Sequence, residues 1–104
     1  MTRFLRLRPV SLPLMTTVTV ATPEIDSATA PQLAAQLAGL DPADDVLVDF
    51  SAVNFCDSTG IRVLLATLKA QMAGGGSLRL INVAPAVSRV FEMTGLRNLM
   101  ADAS

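Results

Sequence analysis

The sequence predicts a single α/β domain in which alternating helices pack mainly on one face of a mixed central β-sheet. Its 104 residues suffice for one hydrophobic core, and 51% of them are hydrophobic while 16% are charged, a composition typical of a folded chain rather than a disordered one. Short segments typical of strands alternate with segments of helical periodicity. This alternation predicts at least one parallel pair of strands, joined by right-handed crossovers.

The first strand is predicted at residues 16–21, where β-branched residues alternate before Pro23 ends the run. Residues 1–15 hold three arginines and no acid, but prolines and arginines interrupt any apolar core of a targeting peptide. We interpret them as an opening strand at 4–10, paired with the first, or as an N-terminal extension. No apolar run approaches the roughly 20 residues of a membrane helix, so we expect a cytoplasmic protein.

The first helix is predicted to follow a loop that carries two acidic residues, Glu24 and Asp26. Thr29 can cap this helix, and Pro31 is tolerated in its first turn because the amides there have no helical partner. Three leucines recur on one stripe, and Gly39 marks the end of the helix. The acidic loop therefore stands directly before a helix.

A central strand is predicted at 46–50, a continuous apolar run typical of burial on both faces of a sheet. A connector at 51–56 and the turn Asp57 to Gly60 lead into a long amphipathic helix. Gly74 to Gly76 stop this helix. Its predicted buried stripe consists of Ile61, Leu64, Leu65, Leu68 and Met72.

A last strand at 77–83 and a third helix complete the pattern. Pro85 begins this helix, Gly95 terminates it, and Val87, Val90 and Phe91 form its buried edge.

Composition excludes several classes of function. The net charge is −1 with dispersed basic residues, so the clustered lysines and arginines that bind nucleic acid are missing. One cysteine forms no internal disulfide, and without histidine the usual zinc ligands are absent. We therefore expect no metal and no cofactor. Cys56 is interpreted as a buried hydrophobe, and Met72, Met93 and Met100 as core residues.

Ser58, at the junction between strand and helix, has three candidate roles. It can cap the helix, as Asp57 and Thr59 equally could. It can accept a phosphate, which the dipole and free amides of a helix N-terminus favour. It can act as a nucleophile only with a general base, but the chain has no histidine, and Lys69, its only lysine, lies about 16 Å further along the helix. We therefore expect a cap that also accepts phosphate, and not an enzyme.

Two other features have structural interpretations. Asp49 ends the central strand, and a phospho-accepting aspartate there would need an acidic pair at another strand end to hold magnesium, whereas Asp44 and Asp45 precede the same strand. The three glycines follow a helix and precede a strand, the reverse of the order in a phosphate-binding loop.

Segments 46–49, 55–61 and 84–96 together resemble the STAS domain family and, within it, the bacterial anti-sigma factor antagonists. The resemblance covers residues 16–96 and rests on two motifs separated along the chain, Phe55 to Ile61 and Ala84 to Leu96. It implies a single STAS domain over 1–104, with a STAS-like fold.

This resemblance implies partner switching. The unphosphorylated chain would bind an anti-sigma factor that is itself a serine kinase and so release a sigma factor. Phosphorylation of Ser58, with Thr59 as the second candidate, would end that binding, and a serine phosphatase would reverse it. The implied partner contacts are Glu24, Asp26, Asp57, Ser58, Thr59 and Gly60. The alternative is a STAS-type accessory subunit of an ABC-type membrane transport complex or of a stress-signalling complex.

The chain departs from the family pattern in two places. Pro23 stands where the family often has glycine, which predicts a stiffer or redirected acidic loop. The chain also stops at Ser104, where the family usually continues into a further strand and helix. We therefore expect uncovered surface that favours a homodimer or lowers stability.

Overall fold

The computed structural model describes residues 15–94. Within them the chain alternates between strands and helices, which confirms the predicted α/β class. The elements are β1 (Met15–Thr19), β2 (Glu24–Ile25), α1 (Ala30–Ala38), β3 (Asp45–Asp49), β4 (Phe55–Cys56), α2 (Ser58–Ala73), β5 (Ser77–Ile81) and α3 (Pro85–Met93). No helix in this part of the chain is long and apolar enough to cross a membrane.

The strands form two separate parallel arrangements. In a three-stranded sheet, β3 lies between β1 and β5, and Val18, Val48 and Leu80 are aligned across it. A smaller ribbon consists of β2 and β4. Each pair described is parallel, and the chain between its two strands contains a helix, as the long crossover of a parallel pair requires. The strand predicted at 4–10 lies outside the described residues.

One face of the three-stranded sheet is fully packed. Val46 and Val48 of β3 are buried together with Leu78 and Leu80 of β5, and all three helices contribute side chains to the same core. Leu47 points to the other face and is only partly buried. The prediction that the central strand is buried on both faces is therefore wrong, whereas packing of the helices mainly on one face is confirmed.

The buried face of α2 ends in a polar residue. Gln71 is 2% exposed, and its side-chain amide donates hydrogen bonds to the carbonyl oxygens of Asp41 and Asp44, both at 3.0 Å. Met72 is 63% exposed, so its predicted place in the buried stripe is wrong. The loop before β3 offers two carbonyl groups at this point, and an amide satisfies them where a thioether could not.

Of the other predictions for methionine and cysteine residues, one is wrong and one is confirmed. Met93 is 82% exposed and is not a core residue, while Cys56 is buried as predicted. Met100 lies outside the described residues.

The three glycines end α2 as predicted, with Gly74 as the C-cap and Gly75 at a φ of 94°. The main chain of this turn passes so close to the loop before β3 that a Cβ atom on Gly76 would overlap the carbonyl oxygen of Asp44.

Candidate functional site

The ribbon of β2 and β4 brings the two predicted site segments together. Glu24 pairs with Phe55 and Ile25 pairs with Cys56, and beyond the paired residues the Asp57 amide donates to the carbonyl oxygen of Ile25 at 3.0 Å. Because the strands are parallel, their carboxyl ends meet at one edge. The acidic loop before α1 and the turn before α2 therefore lie side by side.

Pro23 stands at the start of this ribbon without disrupting it. Its carbonyl oxygen accepts hydrogen bonds from the amides of Asn54 at 2.7 Å and Phe55 at 3.3 Å. Proline lacks only the amide hydrogen, so its carbonyl group remains available to hold the two segments in register.

Asp57 is the N-cap of α2. It has an extended backbone conformation, with φ −104° and ψ −169°, and its Oδ1 accepts a hydrogen bond from the Thr59 amide at 2.8 Å. The Thr59 hydroxyl donates to the same oxygen. These two bonds, the hydroxyl bond first, lower the pKa of the Asp57 carboxyl. The prediction that Ser58 caps the helix is wrong, because the preceding residue already occupies the cap position and Ser58 is the first helical residue.

Ser58 therefore presents its side chain to solvent. It is exposed, and no contact within residues 15–94 engages its hydroxyl. Thr59, next in sequence, is partly buried. Two adjacent hydroxyl groups thus differ, since one is free and the other is bound to a carboxylate.

The acidic loop is held by its own side chains. Asp26 Oδ1 accepts hydrogen bonds from the amides of Ala28 at 3.0 Å and Thr29 at 3.1 Å. The Thr29 hydroxyl accepts from the Asp26 amide at 3.0 Å and lies 2.8 Å from the Glu24 carbonyl oxygen, to which it donates. Thr29 is the N-cap of α1 by position, but its side chain makes no capping bond. The loop is therefore compact, with Glu24 exposed and Asp26 partly buried.

Gly60 provides the close contact between α2 and the ribbon. It is buried, and a Cβ atom there would lie 2.5 Å from Ile25 Cγ2 and 2.7 Å from Cys56 Sγ. Burial, followed by the charge of Asp57, raises the pKa of the Cys56 thiol to about 11. The thiol is therefore protonated and unreactive at neutral pH.

The site is acidic on the side formed by the ribbon. Glu24, Asp26 and Asp57 supply three carboxylates, and Arg62 lies one helical turn after Ser58 with its side chain exposed. Among residues 15–94, no group of three or more potential ligands could hold a metal ion. Such a surface can bind a protein partner and can accept a phosphate. The Asp57 carboxylate is held at the helix cap by Thr59 and not by Ser58, so within residues 15–94 no base is hydrogen-bonded to the Ser58 hydroxyl.

Phe55 and Arg62 were not among the predicted site residues. Phe55 is 50% exposed on β4, opposite Glu24. The available signal was the alternation along β4, because the burial of Cys56 turns the preceding side chain outward.

Comparison with known proteins finds a matching family model and similar bacterial proteins that share one description. The family model described as "Mlab, STAS domain" matches residues 12–101. The anti-sigma-B factor antagonist of Staphylococcus aureus (strain NCTC 8325 / PS 47) is 35% identical over 79 residues, which cover 74% of this chain and 73% of the relative. The protein of the same description from Bacillus subtilis (strain 168) is 36% identical over 78 residues, covering 74% and 72%.

Two solved structures share the fold. The unphosphorylated anti-sigma factor antagonist SpoIIAA superimposes with a TM-score of 0.70 at 25% identity, over 95% of this chain and 87% of that one. The murine anion transporter Slc26a9 matches with a TM-score of 0.69 at 20% identity, over 86% of this chain and 15% of the transporter. The second likeness concerns the fold alone.

Proposed function

We propose that this chain, which belongs to the STAS domain family, is an anti-sigma factor antagonist that changes partners according to the phosphorylation state of Ser58. The observation that carries the proposal is the free, exposed hydroxyl of Ser58 at the start of α2, beside the Asp57 cap and the acidic loop. The antagonists of this family are regulatory binding proteins, and the chain is accordingly a binding protein and not an enzyme.

The unphosphorylated chain binds an anti-sigma factor that is also a serine kinase, in the bacterial cytoplasm, and so releases the sigma factor. The docking surface is the end of the ribbon with the first turn of α2. There Glu24 and Asp26 supply negative charge, and Phe55 supplies an exposed aromatic side chain. Aromatic residues surrounded by charged groups are typical of the energetic centre and rim of protein interfaces.

Phosphorylation ends this binding through charge. The Oγ atom of Ser58 attacks the γ-phosphorus of ATP held by the kinase, the bond from that phosphorus to the β-phosphate oxygen breaks, and ADP leaves while the hydroxyl proton passes to a base of the kinase. The product carries about 1.5 to 2 additional negative charges at neutral pH. A serine phosphatase restores the hydroxyl by hydrolysis.

The local geometry supports a switch without rearrangement. Ser58 is already exposed, and Asp57 caps the helix in its place, so no capping bond is lost when the hydroxyl is modified. The new phosphate stands near three carboxylates. Like charges placed together at an interface cost several kcal/mol, and about 2.8 kcal/mol corresponds to a hundredfold loss of affinity.

The experiment compares Ser58→Ala and Ser58→Asp in calorimetric binding to the purified anti-sigma factor kinase. Because Ser58 makes no capping bond, alanine removes the acceptor with little structural change, so Ser58→Ala is expected to bind like the wild type and to take no phosphate. Ser58→Asp adds one negative charge and should bind at least about tenfold more weakly.

The matched control for charge is Ser51→Asp, which adds a carboxylate at an exposed position in the β3–β4 connector and should leave affinity unchanged. Equal binding of Ser58→Ala and Ser58→Asp, or phosphate mapped by mass spectrometry to another residue, would contradict the proposal.

A second candidate is an accessory subunit of a membrane transport complex or of a stress-signalling complex. The observation that favours this alternative is that Asp57 caps α2 by itself, so the structural role of this turn is complete without a phosphate on Ser58. In that case the same surface binds a transporter ATPase, and Ser58 is never modified. Recovery of a transporter ATPase with the tagged chain, together with unmodified Ser58 under every growth condition, would favour this candidate.

A further inference from the structure

The first turn of α2 contains two adjacent hydroxyl groups in opposite situations. The Ser58 hydroxyl is exposed and unengaged within the described chain. Thr59 is partly buried, and both its hydroxyl and its amide donate to the same carboxylate oxygen of Asp57, the amide at 2.8 Å. The Asp57 side chain is thereby fixed in the cap position rather than free to turn toward Ser58.

We propose that Thr59 is a positioning residue that reserves phosphate transfer for Ser58, because its hydroxyl holds the Asp57 carboxylate at the helix cap and is itself withdrawn from reaction. This inference rests on the proposed function and adds to it the selection between two neighbouring acceptors.

The contacts of Thr59 make it a poor acceptor. An acceptor oxygen must face the γ-phosphorus of ATP, and its proton must pass to a base of the kinase. The Thr59 proton already forms a hydrogen bond to an anion, which belongs to the stronger class of hydrogen bonds. Its β-branched side chain also has few alternative rotamers in a helix. A phosphate on Thr59 would in addition stand against the Asp57 carboxylate.

The same contacts improve the presentation of Ser58. The carboxylate of Asp57 directly precedes Ser58, and without the Thr59 hydroxyl it keeps only the amide bonds of the first turn. A less restrained carboxylate can accept the Ser58 proton or approach the ATP phosphates, and both compete with a productive arrangement of the reacting atoms. Thr59 thus acts through Asp57 and does not contact the transferred group.

The test uses a pair of substitutions that separate the hydroxyl from the shape of the side chain. Thr59→Val keeps the shape and removes the hydroxyl, whereas Thr59→Ser keeps the hydroxyl. Thr67→Val is the matched control, since Thr67 also lies on α2 and its hydroxyl bonds only within the helix, to the Val63 carbonyl oxygen at 2.9 Å.

Two measurements are made on each full-length variant. The kinetics of Ser58 phosphorylation by the purified anti-sigma factor kinase give kcat and KM, and an NMR titration gives the pKa of Asp57. Thr59→Val should lower kcat/KM by about tenfold and raise the pKa of Asp57 above its wild-type value. Thr59→Ser should restore both, and Thr67→Val should change neither.

The inference is overturned if Thr59→Val matches the wild type in both measurements. It is also overturned if Ser58→Ala is phosphorylated on Thr59 as fast as the wild type is on Ser58. A wild-type chain that takes no phosphate at all would instead refute the proposed function. The titration of Asp57 would then still decide whether Thr59 positions the carboxylate.

Discussion

Gly60→Ala places a methyl group at the closest contact between α2 and the β2–β4 ribbon. The added Cβ atom would lie 2.5 Å from Ile25 Cγ2, 3.3 Å from Ile25 Cβ and 2.7 Å from Cys56 Sγ. Both contacted side chains are buried. The two nearest atoms, Ile25 Cγ2 and Cys56 Sγ, are bonded directly to a Cβ atom, so rotation of a long side chain cannot relieve the overlap. The helix and the ribbon must move apart.

The expected decrease in the free energy of unfolding of Gly60→Ala is the difference between two opposing effects. Overpacking a well-packed core costs about 1–3 kcal/mol, while alanine is about 1 kcal/mol more favourable than glycine inside a helix. Because two side chains are displaced together, we use the upper part of the first range and expect a net destabilisation of about 1–2 kcal/mol. For a domain of this size that corresponds to a decrease in Tm of about 5–15 °C.

Urea unfolding and thermal unfolding followed by circular dichroism measure this change. The matched control is Gly39→Ala, since nothing lies within 4 Å of a Cβ atom at Gly39, and its midpoint should stay close to that of the wild type. Adding Cys56→Ala to Gly60→Ala removes one of the two overlapping atoms. The loss in free energy of unfolding of the double variant should therefore be smaller than the sum of the losses of the two single variants.

A Gly60→Ala variant as stable as the wild type would refute the reasoning, since it would mean that the helix and the ribbon are not packed as closely as the distances require. Gly60→Ala should also bind the anti-sigma factor kinase more weakly. The added methyl group displaces Ile25, which belongs to β2, and β2 positions the acidic loop.

Three further predictions concern buried or engaged polar groups. Gln71→Leu should lower the free energy of unfolding in urea by about 1–2 kcal/mol, because the Asp41 and Asp44 carbonyl oxygens each lose one donor but keep a backbone amide; an unchanged midpoint would contradict this. Asp57 has a folded-state pKa below its unfolded value of about 3.9, so its stabilising effect is present above that value and is lost as pH falls through the folded pKa. The Tm advantage of the wild type over Asp57→Asn should therefore be largest near pH 7 and shrink below pH 4, and a constant difference would exclude this linkage. The Cys56 thiol has a pKa of about 11, and Cys56 is 2% exposed. At pH 7.5 it should therefore react with iodoacetamide more than about a hundredfold more slowly than a free cysteine does. The rate of a free cysteine should be reached only when urea unfolds the chain.

The local order of the chain could be predicted because the signals are local. Hydrophobic periodicity placed the three helices and the strands β1, β3 and β5 near their observed bounds, and Pro85 and the three glycines marked where α3 begins and α2 ends. The short strands β2 and β4 lie in segments that were predicted as a loop and a connector. The turn from Asp57 to Gly60 was also found in this way, since a polar turn between an apolar strand and an apolar helix is visible in the sequence alone.

The details of the site depended on contacts between distant segments. Periodicity gave α2 a buried face, but the loop before β3, about 30 residues earlier in the chain, decided that Gln71 rather than Met72 lies in it. The parallel pairing of β2 and β4 brought Asp26 beside Asp57.

The sequence by itself determined which hydroxyl and carboxyl groups stand at the start of α2. It left open which of them caps the helix, because Asp57, Ser58 and Thr59 all have suitable side chains. The tertiary structure assigned the cap to Asp57, because the pairing of Asp57 with the end of β2 fixes where the extended backbone stops and the helix begins. Ser58 is free for another protein's chemistry as a consequence of that pairing.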